Sequence, residues 1–331
     1  MKDKIEHLIS MCSQMEFGSI RLSQGEKKFC NELNQEIISL CRSLPHSAQT
    51  DALLFVMHFH GISFGQELNF FSYYYVPSWS IIYWLVQFAP KGIGLRQAVK
   101  RNAKTAHSMT LFLHALDDHL NDREIPTTHL ALLLRSQSWM IMNNAISSLA
   151  DGVDGGHKIV QGFIDDYYSG ITSSEKVESL DSYCDLFRKQ ISTWLMVPTL
   201  MTKKVTSDGQ FADAIQSAYG SFTISWRLLD DIQDIESDMI NGVCSSVYVC
   251  LPEDMKNCWD KDPEEKKDKA SGCAAAILNY ISENRVIERI RDRIFKELES
   301  AASIADHYRM TSLADEYRSL LAPLRTKRDP S

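Results

Sequence analysis

No stretch of this 331-residue chain is basic enough to grip a polyanion. Acidic residues outnumber basic ones 43 to 35, the net charge is −8 and no long basic block occurs, which excludes a nucleic-acid footprint. There is no CxxC pair. The 8 cysteines (Cys12, Cys30, Cys41, Cys184, Cys244, Cys250, Cys258 and Cys273) are scattered, so neither a zinc knuckle nor a disulfide framework is expected, and reduced thiols in a cytoplasmic protein are. The N-terminal "MKDKIEHLIS" lacks the apolar core of a signal peptide. The most apolar run, "WSIIYWLVQFAP" (79–90), is too short to span a bilayer and ends in proline, so membrane insertion is not expected. Alternation of the strand type, internal repeats and low-complexity linkers are all wanting.

What remains is helix. Apolar content of 44% with 24% charged residues is that of a soluble globular protein. Long amphipathic or wholly apolar runs recur, among them "LRQAVKRNAKTAHSMTLFLHALDD", "HLALLLRSQSWMIMNNAISSLA" and "GQFADAIQSAYGSFTISWRLLDDIQDIESDMI". Several are too apolar for two-layer packing, which predicts central helices surrounded by others. "DGVDGG" (151–156) reads as a loop, and "LPEDMKNCWDKDPEEKKDKASG" (251–272) as either a solvated connection or a lid over a filled site. The expectation is one all-α domain over residues 1–331.

Two acidic clusters interrupt this pattern. "HALDDHLNDREIP" (114–126) closes an apolar helix with Asp117, Asp118 and Asp122, and "WRLLDDIQDIESDMINGVCSS" (226–246) carries Asp230, Asp231, Asp234 and Asp238. Asp118 and Asp122 are i, i+4. Asp230, Asp234 and Asp238 make a stripe that extends backwards through Trp226 and Phe222. Like charges at this spacing destabilise an isolated helix by a few tenths of a kcal/mol per pair, and buried carboxylates need partners. Hard cations answer both problems: Mg²⁺ takes oxygen ligands, one or two carboxylates at a time, with water and substrate phosphates completing its shell. Two facing acidic helix ends with an apolar, aromatic wall behind them would neutralise a leaving diphosphate and shelter a carbocation. A di-iron carboxylate bundle would need Glu-x-x-His pairs on apolar helices, and none is found.

The two blocks resemble the aspartate-rich motifs of the trans-prenyl diphosphate synthase and class I terpene synthase superfamily. "LFLHALDDHLNDREIPTTH" is similar to the first, DDxxxD, and "LLDDIQDIESDMING" to the second, DDxxD, with Asp230 113 positions after Asp117. The resemblance implies an all-α isoprenoid synthase (terpenoid synthase) helical bundle around a central apolar cavity. It implies metal binding by Asp117, Asp118 and Asp122 from one wall and by Asp230, Asp231 and Asp234 from the other, with about three Mg²⁺ ions per active site. Asp117, Asp118, Asp230 and Asp231 would be the catalytic set. "FRKQISTWLMVP" (187–198) sits where that superfamily touches diphosphate, so Arg188 and Lys189 are either diphosphate ligands or a plain surface pair, and Pro198 is expected to kink their helix. Tyr308 and Arg309 weakly resemble C-terminal diphosphate contacts of cyclases, with a surface pair as the other reading.

Departures from the elongating enzymes tilt the reading towards cyclisation. The Gly-Gly-Lys-Arg segment that holds a homoallylic diphosphate is reduced to "KGIGLRQ" (91–97), the paired arginines after the first motif to Arg123, and Gly242 is followed by Val243 rather than lysine. The expectation is a Mg²⁺-dependent terpene cyclase, a carbon–oxygen lyase. It would ionise a linear prenyl diphosphate, a C20 geranylgeranyl chain in the first instance, and yield a hydrocarbon or alcohol. Phe112, His114, Phe222, Trp226, Trp79 and Tyr83 are candidate pocket residues, the rings serving as cavity lining or as ordinary core. Chain elongation is the alternative. A non-catalytic regulatory subunit is a third, against which the intact aspartates argue. A homodimer is compatible with the resemblance, and a nucleic-acid partner is not expected.

Overall fold

The structure, a computed structural model, describes residues 2–89, 95–121, 124–206, 208–261 and 272–325. Among them every regular element is helical. The helices are α1 (Lys2–Ser13), α2 (Gln24–Ser43), α3 (Gln49–Phe59), α4 (Pro77–Phe88), α5 (Gln97–Asn121) and α6 (His129–Ala150). They continue with α7 (Gly156–Ile171), α8 (Leu180–Gln190), α9 (Ser192–Val205), α10 (Gly209–Gln233) and α11 (Ile235–Asn241). The last are α12 (Ser246–Val249), α13 (Glu253–Trp259), α14 (Gly272–Glu283), α15 (Val286–His307) and α16 (Thr311–Leu321). The all-α expectation holds.

Local chemistry sets the boundaries. Ser23 and Glu26 form a reciprocal capping box at the start of α2, Thr128 and Asp208 cap α6 and α10 with side-chain oxygens, and Pro77 occupies the first turn of α4. Gly242 ends α11 in the left-handed conformation, φ 69°, which a side chain would strain. Gly170 lets α7 press on α8: a Cβ there would meet the Gln190 backbone nitrogen at 2.8 Å.

α9 is the expected central helix. Every residue but Lys203 and Lys204 is buried, with Pro198 inside it. α10 lies between α9 and α15, and α5 pairs with α6. The buried apolar residues from Cys12 to Leu324 form one connected cluster. One expectation fails: Cys258 and Cys273 are joined in a disulfide, Cα–Cα 5.6 Å, because α13 and α14 pack together although no sequence motif announces it. The remaining six cysteines are unpaired. No helix among the described residues is long and apolar enough to cross a membrane.

Candidate functional site

The two acidic clusters terminate the two longest helices. Asp117 and Asp118 lie in the last turn of α5, and Asp230 and Asp231 in the last turn of α10, with Asp234 at its C-cap and Asp238 on α11. The walls face each other: the Asp118 carboxylate is one of the charges that pushes Asp230 up, and Glu124 acts likewise on Asp234. Beside Asp117 and Asp118 opens a cavity of about 360 Å³, lined by His114, Asp117, Asp118, Asn121, Tyr167, Tyr183, Phe187 and others, to which α10 contributes Trp226 and Arg227 rather than its aspartates. Asp122 lies outside the described residues, as do Arg123 and most of "KGIGLRQ".

The aspartates are not equivalent. Asp231 has no exposed side-chain surface. Its Oδ1 accepts from the Tyr183 hydroxyl at 3.1 Å and pairs ionically with Arg227 Nε at 3.0 Å, and its Oδ2 accepts from the Ser246 amide at 2.8 Å. Asp117 is held bidentately by Arg135 of α6, at 2.6 and 2.9 Å. Both carboxylates are thereby engaged with protein, whereas Asp118 lines the cavity and Asp230 has one long contact, from Arg227 Nη1 at 3.4 Å. Burial is the main force raising the carboxyl of Asp230 to about 6 and that of Asp238 to about 7; neighbouring carboxylates add to it and Arg227 opposes it. Asp234 moves up for the same reasons.

The residues present suit Mg²⁺ in one way only. Among the described residues no three ligating side chains converge on a ready-made ion site. Sparse all-oxygen donors on opposite walls match an ion that keeps its waters and completes its shell with substrate phosphate.

The pocket residues divide. His114 and Trp226 line the cavity, and both touch Trp194 of α9: Trp226 stacks on it at 5.6 Å and 20°, and His114 meets it edge-on at 5.1 Å. Burial lowers the pKa of His114, with Asp118 and Asp117 opposing. Phe112 packs against Phe59 and His60, Phe222 against Tyr219 and Tyr317, and Trp79 against Phe29, all in the core. Tyr83 lines a separate groove beside Lys28, Lys100 and Lys104. Arg188 and Lys189 are not at the cavity either. They border a groove between α7, α8 and α10, where Arg188 binds Asp185 at 2.6 Å and Glu297 at 3.5 Å. Tyr308 packs on Phe211, 19 residues before Asp230 on α10 and so roughly 28 Å along the axis from the aspartates. Arg309 follows it with φ 60°.

Sequence reasoning passed over Arg227, Tyr183, Arg135 and Trp194. Arg227 alone carried a signal, its i, i+3 and i, i+4 spacing to Asp230 and Asp231. It also passed over Tyr73, an exposed phenol whose pKa is raised by burial and then by Asp230 and Asp118, which sets it facing both acidic walls.

Solved structures share this architecture. A decaprenyl diphosphate synthase from Rhodobacter capsulatus superposes with TM-score 0.62 at 12% identity, covering 92% of this chain and 100% of that one. The chain has the fold of the prenyl diphosphate synthases. A geranylgeranyl pyrophosphate synthase from Corynebacterium glutamicum, solved with isoprenyl diphosphate and magnesium, gives TM-score 0.60 at 13% identity over 93% of this chain and 100% of that one. The geranylgeranyl pyrophosphate synthetase of Pyrococcus horikoshii gives 0.58 at 11% over 98% and 100%. No family model matches the chain, and no curated protein sequence does.

Proposed function

We propose that this chain is a Mg²⁺-dependent enzyme that ionises a linear prenyl diphosphate in the acid-walled cavity. The observation that carries the reading is the approach of Asp118 to Asp230 beside a cavity that Asp118 lines together with Trp226 and Phe187, with Trp194 stacked on Trp226. Bound there, Mg²⁺ would act as a Lewis acid on the diphosphate oxygens. The carbon–oxygen bond breaks, its electron pair leaves with the diphosphate, and an allylic cation remains. The apolar wall excludes water from that cation and the ring faces of Trp226 and Phe187 attract it.

Chain elongation is the leading outcome, because the solved structures with this fold, matched over nearly their whole length, bear the names of elongating synthases. The π electrons of a homoallylic C5 diphosphate would attack the cation and a proton would then be lost. Cyclisation, the expectation from sequence, is favoured by one feature: Arg227 is the one cation among the described residues lining the cavity, which leaves grip for a single diphosphate. A cytoplasmic setting belongs to the same proposal, with six unpaired cysteines in its favour and the Cys258–Cys273 bond as its exception. So does a homodimer, supported by exposed Leu132, Met140 and Tyr168 on α6 and α7.

The test is product analysis after incubating the protein with Mg²⁺ and C10, C15 or C20 allylic diphosphates, with and without the C5 homoallylic diphosphate. Longer diphosphates establish elongation; a hydrocarbon or alcohol from the allylic substrate alone establishes cyclisation. Release of neither product, or full activity in folded Asp118→Ala protein, refutes the proposal.

A further inference from the structure

The aspartate walls raise a question of charge: what on the protein itself meets the anionic end of the substrate? The pairs first suggested for that role are elsewhere, Arg188 and Lys189 in the groove between α7, α8 and α10, and Tyr308 and Arg309 at the far end of α10. Arg227 is on the cavity wall. Its guanidinium lies over the Phe187 ring at 5.9 Å, donates from Nε to the Tyr183 hydroxyl at 3.0 Å, and meets Asp231 from the same nitrogen at 3.0 Å. A planar guanidinium fixed through Nε has the direction of its far end defined, and that end carries Nη1 and Nη2. Nη1 reaches Asp230 only at 3.4 Å, and among the described residues no hydrogen bond reaches Nη2. The Arg227 side chain keeps 24% exposure while Asp231 keeps none.

Asp231 completes the arrangement. Two hydrogen bonds and the Arg227 ion pair engage both its oxygens, its side chain has no exposed surface, and it is not among the residues lining the cavity. A buried carboxylate in that state balances a neighbouring cation and fixes its plane.

We propose that Arg227 binds the diphosphate of the substrate directly, and that Asp231 is its positioning counter-ion rather than a metal ligand. Guanidinium is well matched to this role, being charged at every working pH and offering paired donors to phosphate oxygens. The assignment rests on the reading above, that a prenyl diphosphate is the substrate, and adds the group that recognises its anionic end.

Titration calorimetry with inorganic pyrophosphate and MgCl₂ on the full chain tests it. Arg227→Gln alone strands the Asp231 carboxylate in the interior, so the decisive variant is Arg227→Gln/Asp231→Asn, which removes both charges and keeps hydrogen-bonding groups at both positions. That variant, folded by circular dichroism, is expected to bind pyrophosphate about tenfold more weakly or worse, the loss of a charge-assisted hydrogen bond. Asp231→Asn alone is expected to retain or tighten binding, since it frees Arg227 of its counter-charge. Wild-type affinity in the double variant, or abolished binding in folded Asp231→Asn protein, overturns the assignment and leaves the substrate class standing. A wild-type chain that binds no pyrophosphate with MgCl₂ overturns both.

Discussion

Glu316 of α16 is a buried carboxyl far from the acidic walls in sequence, and it makes stability fall as pH rises. The Ser80 hydroxyl donates to Oε2 and the Trp84 indole to Oε1, each at 2.5 Å, and Glu26, locked by its bond from the Ser23 amide at 2.8 Å, lies beside it. Burial first and the Glu26 carboxylate after it raise the Glu316 pKa from 4.5 to about 8, with Ser80 and Trp84 opposing. The folded chain therefore holds a proton that the unfolded chain has already lost between those values. Its stabilisation is complete below pH 4.5, declines above it and is gone once the pH passes about 8. The total swing is on the order of 4–5 kcal/mol, and the part lying between pH 7 and pH 9 is about 1.4 kcal/mol, one pKa unit. Glu316→Gln stays neutral throughout, its oxygen accepting from Trp84 and its amide donating to a rotated Ser80 hydroxyl. The variant's melting temperature, followed by circular dichroism, should gain on wild type by about 2 °C between pH 7 and pH 9. Parallel melting curves across that range would show that Glu316 is ionised in the folded protein and that this reasoning is wrong.

Two further outcomes are expected. The Cys258–Cys273 bond closes a loop with a sequence separation of 15 residues, so dithiothreitol should remove about 3 kcal/mol of stability, read as a lower urea midpoint, and Cys258→Ser/Cys273→Ser protein should show no such response. Trp194 packs against Trp226 and His114, two residues that line the cavity. Trp194→Ala should cost roughly 3–5 kcal/mol of stability in thermal or urea unfolding and, where the protein stays folded, shift the preferred allylic substrate or product to a longer chain by mass spectrometry.

Helix content and the two acidic clusters were legible in the sequence because both are periodic signals. The i, i+4 rule placed Asp230 and Asp234 together and aimed Trp226 at the cavity. It failed at Phe222, because a stripe continued for another turn reaches Tyr219 and Tyr317 in the core instead. Asp231 read as equivalent to Asp230, yet adjacent helical residues point about 100° apart, and the direction Asp231 takes is filled by Tyr183 of α8 and the Ser246 amide of α12. Neither partner is near it in sequence. Arg188 and Lys189 sit in the last turn of α8, where basic residues answer the helix's own carbonyls and give no sign of which groove they border. The disulfide was illegible because thiols 15 positions apart carry no motif until α13 and α14 dock.

The ends of α5 and α10 carry one more consequence. Each helix accumulates a partial negative charge at its C-terminus, and each places its aspartates there, the position where acidic side chains are least welcome. Two macrodipoles thus converge with like poles and added carboxylates between them. On the proposed reading, a divalent cation entering that gap would do more than prepare a substrate: it would relieve the repulsion between the two helix ends. Cation binding and global stability would then be two readings of one free energy, growing together with the logarithm of the ion concentration.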